Sequence, residues 1–269
     1  MNFTYKNLTF GSDPEFFIKD KKGKLISSIG IIHGTKSDPY KLNALGDGYA
    51  IQTDNVLGEF NIPAATNIHD AINSIEIMKS YISGFLESRD LSPEYMASGV
   101  FTPDQLRSKE AKAFGCCPDY NCWTEKTNNS PCGGRTSLRS AGFHLHLGYD
   151  NHNDEASINA LKAFDLFLGV PSILIDPDDR RRELYGKSGC FRMTNFGFEY
   201  RTMSGYFIKS KDLIDWCFNQ ILDAIGYLNK NGIDEIQSDG NLIQDAINNN
   251  NKELARELVK KYNINSFGV

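Results

Sequence analysis

The stretch AGFHLHLGY, residues 141–149, alternates polar and apolar side chains with a period of two. That is the period of a β-strand, so His144 and His146 fall on one face while Phe143, Leu145 and Leu147 point the other way. Further along, FEYR at 198–201 repeats the device with Glu199 and Arg201. A sheet face that carries two imidazoles, a carboxylate and a guanidinium suits divalent metal and phosphate better than a core. It outlines a nucleotide site. The histidine spacing alone is equally that of any strand with one solvated face, so the reading depends on what converges with it.

Two other segments do converge. GSDPEFFI (11–18) spaces Asp13 and Glu15 by two, with apolar residues following, and DNVLGEFNIPAA (54–65) offers Glu59 together with Asp54. Counted with the first two, four separate strand-like segments each present hard oxygen or imidazole ligands, which a set of unrelated solvated strands rarely does.

Composition limits the alternatives. A chain of 269 residues, 40% hydrophobic, can bury a substantial core; it is long for one domain and short for two. The expectation is a single catalytic domain over 1–235, with 102–139 as a loop insertion at the active site and 236–269 as a C-terminal helical appendage. A net charge of −5 and an isoelectric point near 5.6 argue against a nucleic-acid-binding surface, while leaving room for a local basic pocket. No apolar run reads as long enough to span a bilayer. MNFTYKNLTF has neither the charged start nor the apolar stretch of a signal peptide. A cytosolic protein is expected.

Six cysteines fit that compartment as thiols or metal ligands. Cys116, Cys117, Cys122 and Cys132 cluster, but the close pair is adjacent rather than separated by two residues, and no histidine lies among them at finger spacing. Cys190 and Cys217 read as small apolar side chains.

Strands alternate with a few long helices along the chain. LTFGSDPEFFIKD (8–20) and LISSIGII (25–32) flank DKKGK, an exposed hairpin turn. YAIQTDN (49–55) and VLGEFNIPA (56–64) read as extended. With Thr66 or Asn67 as cap, the helical spacing of Ile68, Ile72, Ile75, Ile82 and Phe85 predicts an amphipathic helix in which His69 is a surface residue. YMASGVF (95–101) reads as a strand. From Thr102 to Arg139 the pattern gives way to a long segment rich in Gly, Pro, Asn and Cys, with one short helix near 103–113, of the kind that forms functional lids. A helix capped by Asn153 or Asp154 runs through Ala160, Leu161, Phe164 and Leu168, and Pro171 should kink or end it. Another follows near 210–229. The tail, with NNNN at 248–251, reads as two short polar helices packed on the outside. There is no internal repeat.

Between the proline and FEYR lies DDRRRELYGKSGCFR (178–192). Three consecutive arginines read equally as a solvated charge run, Arg180 and Arg181 above all. In YGKSG, glycines on both sides of Lys187 let the backbone turn closely against a ligand and deliver cations to phosphate oxygens. The chain contains no P-loop spacing, so any nucleotide is held another way.

These residues resemble a family. GSDPEFF looks like the EPEFF-type strand of glutamine synthetases, AGFHLHLG is similar to their histidine strand, and the arginine of GCFR followed by FEYR resembles their closing arginine and glutamate pattern. The order along the chain is the same. DPEFF, DNVLGEFNIPA, the CPDYN loop, AGFHLHLGY, RRELYGKSGCFR and FEYRTMSGY together resemble the phage-encoded carboxylate-to-amine ligases called type-two amidoligases, over roughly residues 8–230.

The resemblance implies an α+β fold, a curved antiparallel sheet flanked by helices, of the glutamine synthetase and guanidino kinase kind. It implies ATP and Mg2+ as cofactors, with Mn2+ equally acceptable to such a site, and substrates that are a small-molecule or peptide carboxylate and an amine such as an amino acid. No nucleic-acid or membrane partner is implied, and the oligomeric state is left open. In such enzymes ATP phosphorylates a carboxylate, and an amine then displaces phosphate to form an amide. Carried over, Glu15 would hold one metal, while Asp13, His144 and Glu199 would hold the other. Glu59 would complete the first shell or orient the amine. His146, Lys187, Arg192 and Arg201 would contact the phosphates, with Arg192, Arg201 and Glu59 in catalytic roles. Asp54, Asp119, Tyr120, Asn121, Arg182 and Tyr185 are candidates for substrate recognition. Asp13 stands where the synthetase pattern has glutamate, which shortens the reach to metal by one methylene. No counterpart of the synthetases' additional N-terminal domain is visible, so neither their ring assembly nor their substrates follow. A phosphotransferase of guanidino kinase-like fold and a non-catalytic nucleotide-binding relative remain alternatives. Phage origin, with the host cytoplasm as location, comes only from the resemblance.

Overall fold

The computed structural model describes residues 5–112, 119–128 and 136–268. Its elements in chain order are β1 (Thr9–Ser12), β2 (Glu15–Asp20), β3 (Leu25–Ile26), β4 (Tyr40–Lys41), β5 (Ala50–Asp54), β6 (Leu57–Asn61), helix α1 (Ile68–Glu87), β7 (Leu91–Glu94) and β8 (Ser98–Val100). The short helix α2 (Lys109–Lys112) precedes β9 (Tyr120–Asn121), β10 (Lys126–Thr127), β11 (Leu138–Ser140) and β12 (Leu145–Gly148). Then come α3 (Asp154–Phe164), α4 (Val170–Ile175), β13 (Cys190–Thr194), β14 (Gly197–Tyr200), α5 (Lys211–Asn231), α6 (Asp234–Ser238), α7 (Gly240–Asn248) and α8 (Lys252–Lys261).

The antiparallel sheet flanked by helices is present, curled into two six-stranded ladders ordered β1-β12-β14-β13-β9-β10 and β3-β2-β6-β5-β4, with β7 on the other side of β2. The run expected as one strand over 8–20 passes from the first ladder to the second at Asp13–Pro14. Pro14 has no N–H to give to a ladder, so pairing breaks there. Backbone hydrogen bonds keep the two ladders joined across the break: Phe60 N to Pro14 O at 3.1 Å, Ile62 N to Ser12 O at 3.3 Å and Glu15 N to Gly142 O at 2.8 Å. The acids flanking the proline thereby stand at the seam.

Alternation decides which face is buried. Phe143, Leu145, Leu147, Phe198 and Tyr200 are fully buried, and their rings meet helices α3 and α5: Phe198 lies 5.3 Å from Phe164, and Phe143 lies 6.3 Å from Phe218. Each such side chain stabilises the fold by about 1.5–3 kcal/mol. With one face committed to the helices, His144, His146, Glu199 and Arg201 are left on the other.

Asn67, not Thr66, caps α1, its side chain accepting from Asp70 N at 2.9 Å, and Asn153 caps α3 by accepting from Ala156 N at 3.0 Å. His69 is exposed as expected. Only Leu25–Ile26 of 25–32 and Ser98–Val100 of 95–101 form strand.

Of the two outcomes expected at Pro171, a kink or an end, the helix does not end. The chain stays helical from Asp154 to Ile175, because a π-turn over Asp165–Gly169 widens the spiral before the proline, with Val170 N reaching back to Asp165 O. Contrary to expectation, this 22-residue run is long and apolar enough to cross a membrane, yet 83% of its most apolar stretch is buried inside the protein, where it serves as core.

The tail holds three helices rather than two. Ile236, Ile243, Ile247 and Ala255 are fully buried in the main core. Gly240 of α7 packs against the Trp123 ring, where a Cβ would come within 2.6 Å of it. Asn248 accepts a hydrogen bond from Ser188 N at 2.9 Å. The polar residues of this segment face outward at helical spacing, so its apolar stripe is inconspicuous in the sequence. Of the cysteines, Cys122, Cys190 and Cys217 are free and buried; Cys116, Cys117 and Cys132 lie outside the described residues.

Candidate active site

Strand register places one residue from each of four strands in a row: Gly11, His146, Glu199 and Arg192 are consecutive cross-strand partners on β1, β12, β14 and β13. Gly11 lies against the His146 ring, where even a Cβ would be in ordinary contact at 3.5 Å. The neighbouring row contributes His144 and Arg201, and the seam contributes Asp13 and Glu15.

Asp13 lies between the two histidines. Its Oδ1 is 3.1 Å from both His144 Nδ1 and His146 Nε2. Burial pushes the Asp13 carboxyl up, but the two imidazoles outweigh it and hold the group well below the usual carboxylate range. The same contact raises His146 against the effect of its own burial. His144 Nδ1 is also 3.4 Å from Glu199 Oε1, and its Nε2 is 4.0 Å from Glu15 Oε1.

A second carboxylate group stands beside it. Glu15 and Glu59 are direct cross-strand partners on β2 and β6, and Asp54, at the end of β5, joins them. Glu15 accepts from Gly142 N at 2.6 Å. Burial pushes Glu15 up, and His144, Arg181 and Lys36 overcome it and lower it. Glu59 has only Lys36 to lower it, which does not suffice. Burial and the charges of Asp13, Asp54 and Glu15 raise it well above the usual range, and its Oε2 is buried without a hydrogen-bond partner. Burial, followed by Glu15, raises Asp54 as well.

Ligand atoms of three groups come within 4.8 Å of one another: Asp13, Glu59 and His144; Asp13, His146 and Glu199; and Glu15, Asp54 and Glu59. The all-oxygen set fits Mg2+, and the mixed imidazole and carboxylate sets also suit Mn2+. The orphaned Glu59 oxygen and the raised Glu59 and Asp54 mark a carboxylate cluster that Lys36 only partly neutralises, a donor set into which a divalent cation fits.

The arginines expected at phosphate converge here. Arg201 pairs with Glu199 through Nη1 and with Asp119 at 2.7 Å through Nε, while Arg192 lies 3.6 Å from Glu199 and 3.9 Å from Asp119. Burial alone would lower Arg201, but Glu199 and Asp119 raise it. Asp119 thus ties the loop before β9 to the sheet face.

Other candidates lie elsewhere. The Lys187 side chain is exposed, although its carbonyl accepts from Thr202 Oγ1 at 3.0 Å. Tyr120 is exposed beside Phe191. The Asn121 side chain is spent on the backbone, accepting from Trp123 N and donating to Ser188 O. Arg182 faces Asp176 and Asp179 and lines a separate cavity with Ser172 and Ser204. Tyr185 does reach the central cavity, a space of about 50 Å3 that Glu15, Asp54, His144 and Arg201 line as well.

That cavity also holds Lys36, Arg139 and Ser140, which the sequence does not single out, and Arg181, which its position in a charge run suggests is solvated but which is buried. Lys36 sits 2.6 Å from Asp54 Oδ2. Its approach depends on long-range pairing of Gly34 and Thr35 with Thr53, for which HGTKSDPY carries no signal. Arg181 lies in a 3-10 turn spanning Arg180–Glu183. Three residues per turn send the three arginines in three directions: Arg180 pairs with Asp178 at 2.8 Å, Arg182 turns to Asp176, and Arg181 turns inward.

The fold and site define a class: an antiparallel sheet whose polar face gathers carboxylates and imidazoles beside two arginines. Residues 133–261 match the model of a specific family, the phage phiEco32-like COOH.NH2 ligase-type 2 family. This bears out the resemblance to type-two amidoligases and the expectation of an enzyme of the carbon–nitrogen ligase class. No curated protein matches the chain. Among solved structures, "Apo GmaS without ligand" is similar at 15% identity and a TM-score of 0.45, covering 96% of this chain and 69% of that one. A GmaS/ADP complex is similar at 12% identity and 0.42, covering 96% and 68%. A bifunctional glutathione synthetase from Pasteurella multocida is similar at 10% identity and 0.41, covering 96% and 49%.

Proposed function

We propose that this chain is an ATP-dependent carboxylate–amine ligase that activates its carboxylate as an acyl phosphate and releases ADP and phosphate. The observation that carries the reading is the cross-strand row of His146, Glu199 and Arg192, flanked by Asp13, His144, Glu15, Glu59 and Arg201.

Glu15, Asp54 and Glu59 would hold one divalent cation, and Asp13, Glu199 and a histidine would hold a second; bound there, the cations neutralise charge on the phosphate oxygens. Arg192 and Arg201 keep two guanidinium groups at the same face, positioned to take up charge as the γ-phosphoryl group moves. A carboxylate oxygen of the first substrate attacks the γ-phosphorus, and ADP leaves. The amine nitrogen then attacks the acyl carbon, phosphate leaves with the bonding electron pair, and the amine proton passes to a carboxylate. The carboxylate and the amine are small molecules or peptide groups. The fold acts as one catalytic domain that includes α6–α8.

The test is nucleotide turnover with Mg2+ and ATP against pooled amines and carboxylates, followed by phosphorus NMR, with Glu199→Gln as control. ADP and phosphate that appear only with substrate, and not in the variant, are expected. AMP and pyrophosphate would show adenylation instead. A stable phosphorylated product without an amide would show a phosphotransferase.

A further inference from the structure

Arg181 is 4% exposed, and its guanidinium is held by little. Nη1 donates to Ser140 Oγ at a long 3.4 Å and Nη2 to the Arg201 carbonyl at 3.2 Å, while Nε has no partner. Among the described residues no carboxylate forms an ion pair with it. Of the anions lining the same cavity, Asp54 pairs with Lys36 and Asp119 with Arg201, while Glu15, which accepts from Gly142 N, acts on Arg181 through its charge without forming an ion pair. A buried guanidinium without a close counter-charge is destabilising.

The chain nevertheless makes room for it. A Cβ on Gly142 would lie 3.1 Å from Arg181 Nη2, and one on Gly186, at φ +73°, would lie 2.7 Å from Nε. Gly186 thus leaves room for this guanidinium and Gly142 for both it and His144, and Arg181 lines two cavities, that of about 50 Å3 and the one it shares with Asp176 and Asp178. The first space, lined by Arg181, Arg139 and Lys36, accepts a group the size of a carboxylate. The planar fork of a guanidinium matches a carboxylate in geometry and charge.

We propose that Arg181 and the cavity it lines seat a carboxylate group of the substrate, an inference that rests on the ligase reading and assigns its substrate recognition. The substrate class is a small molecule or peptide end presenting a carboxylate on a chain slender enough to pass between Lys36 and Tyr185. The ATP phosphates stay at the outer row of His146, Glu199 and Arg192.

The test is a titration of the full-length protein with Mg2+, following the Arg181 Nε–Hε signal, identified by its loss in Arg181→Met. The probes are acetate, glutarate and L-glutamate, set against inorganic phosphate. A saturable shift with a carboxylate and none with phosphate is expected. No response to any carboxylate, or a stronger response to phosphate, would overturn the assignment. Arg181→Met supplies a second readout: its melting temperature should equal or exceed that of the parent chain, and the rise in melting temperature caused by carboxylate should be lost. A sharp fall in melting temperature would show a structural arginine and overturn the proposal. Turnover separates the two readings. A chain that forms ADP with unchanged carboxylate KM in Arg181→Met refutes the seat and keeps the ligase, whereas carboxylate binding without turnover in any pool keeps the seat and refutes the ligase.

Discussion

Glu15 and Glu59 stand directly opposite each other across the β2–β6 ladder, two buried carboxylates as cross-strand partners. Like charges in that relationship destabilise a sheet, and a cation between them reverses the effect. Divalent metal at a hundred times its dissociation constant should stabilise the chain by about 2.7 kcal/mol, or roughly 5–10 °C in melting temperature. Glu59→Gln should raise the metal-free melting temperature and reduce the metal-induced rise. Thermal melts with and without Mg2+ or Mn2+ check both outcomes; an unchanged metal response in Glu59→Gln would remove Glu59 from the metal site.

Glu199 touches both arginines of the site and the His144 imidazole. Glu199→Gln keeps an acceptor oxygen and the side-chain volume but loses the charge that holds these groups and that would hold a cation. ADP formation should fall by about 100- to 1000-fold, with the far-UV circular dichroism spectrum unchanged. Turnover near the parent rate would contradict the role given to this row.

Asp165 provides a pH-dependent element away from the metal ligands. It is fully buried in the π-turn and accepts from Trp123 Nε1 at 2.7 Å, Tyr200 OH at 2.8 Å and Ser188 Oγ at 2.5 Å; Lys162, Cys122 and Cys190 are the other titratable groups around it. Burial outweighs these hydrogen bonds and pushes its carboxyl up to about 6, from an ordinary 3.8. Between those values the folded chain holds a proton that the unfolded chain has released, so this group's contribution to stability falls as pH rises from about 4 to about 6. The full loss is on the order of 3 kcal/mol. Subtracting the Asp165→Asn stability profile from the parent profile isolates the group. The difference should decline through that window and stay level above it, and a flat difference would rule out the shift.

Removing α6–α8 tests whether they belong to the catalytic domain. Ile236, Ile243, Ile247 and Leu258 are buried, and at about 1.5–3 kcal/mol each their loss rivals the whole stability of a typical domain. A chain ending at Gly232 should fail to give a cooperative melt. The milder Asn248→Ala removes the acceptor for Ser188 N and should cost about 1 kcal/mol.

The sheet face was legible because its code is local. The period of two in AGFHLHLGY and FEYR identifies which side chains are buried and which are offered to the site, and the structure places Phe143, Leu145, Leu147, Phe198 and Tyr200 inside as that period requires. The caps of α1 and α3 were legible for the same reason. The fate of Pro171 was not, because widening the preceding turn is a response to the packed environment of Asp165. Nor was the burial of the tail, since its few isoleucines are dispersed among asparagines.

The sequence by itself determined the ligand types and their faces, because alternation along a strand is a property of the backbone. Only the tertiary structure decided how those faces combine: that Asp13 sits between two histidines, that Lys36 reaches Asp54, and that Arg181 rather than Arg180 or Arg182 enters the cavity. Each of these depends on register, loop closure or the direction of a side chain in a tight turn, and these are set by contacts between segments far apart in the chain.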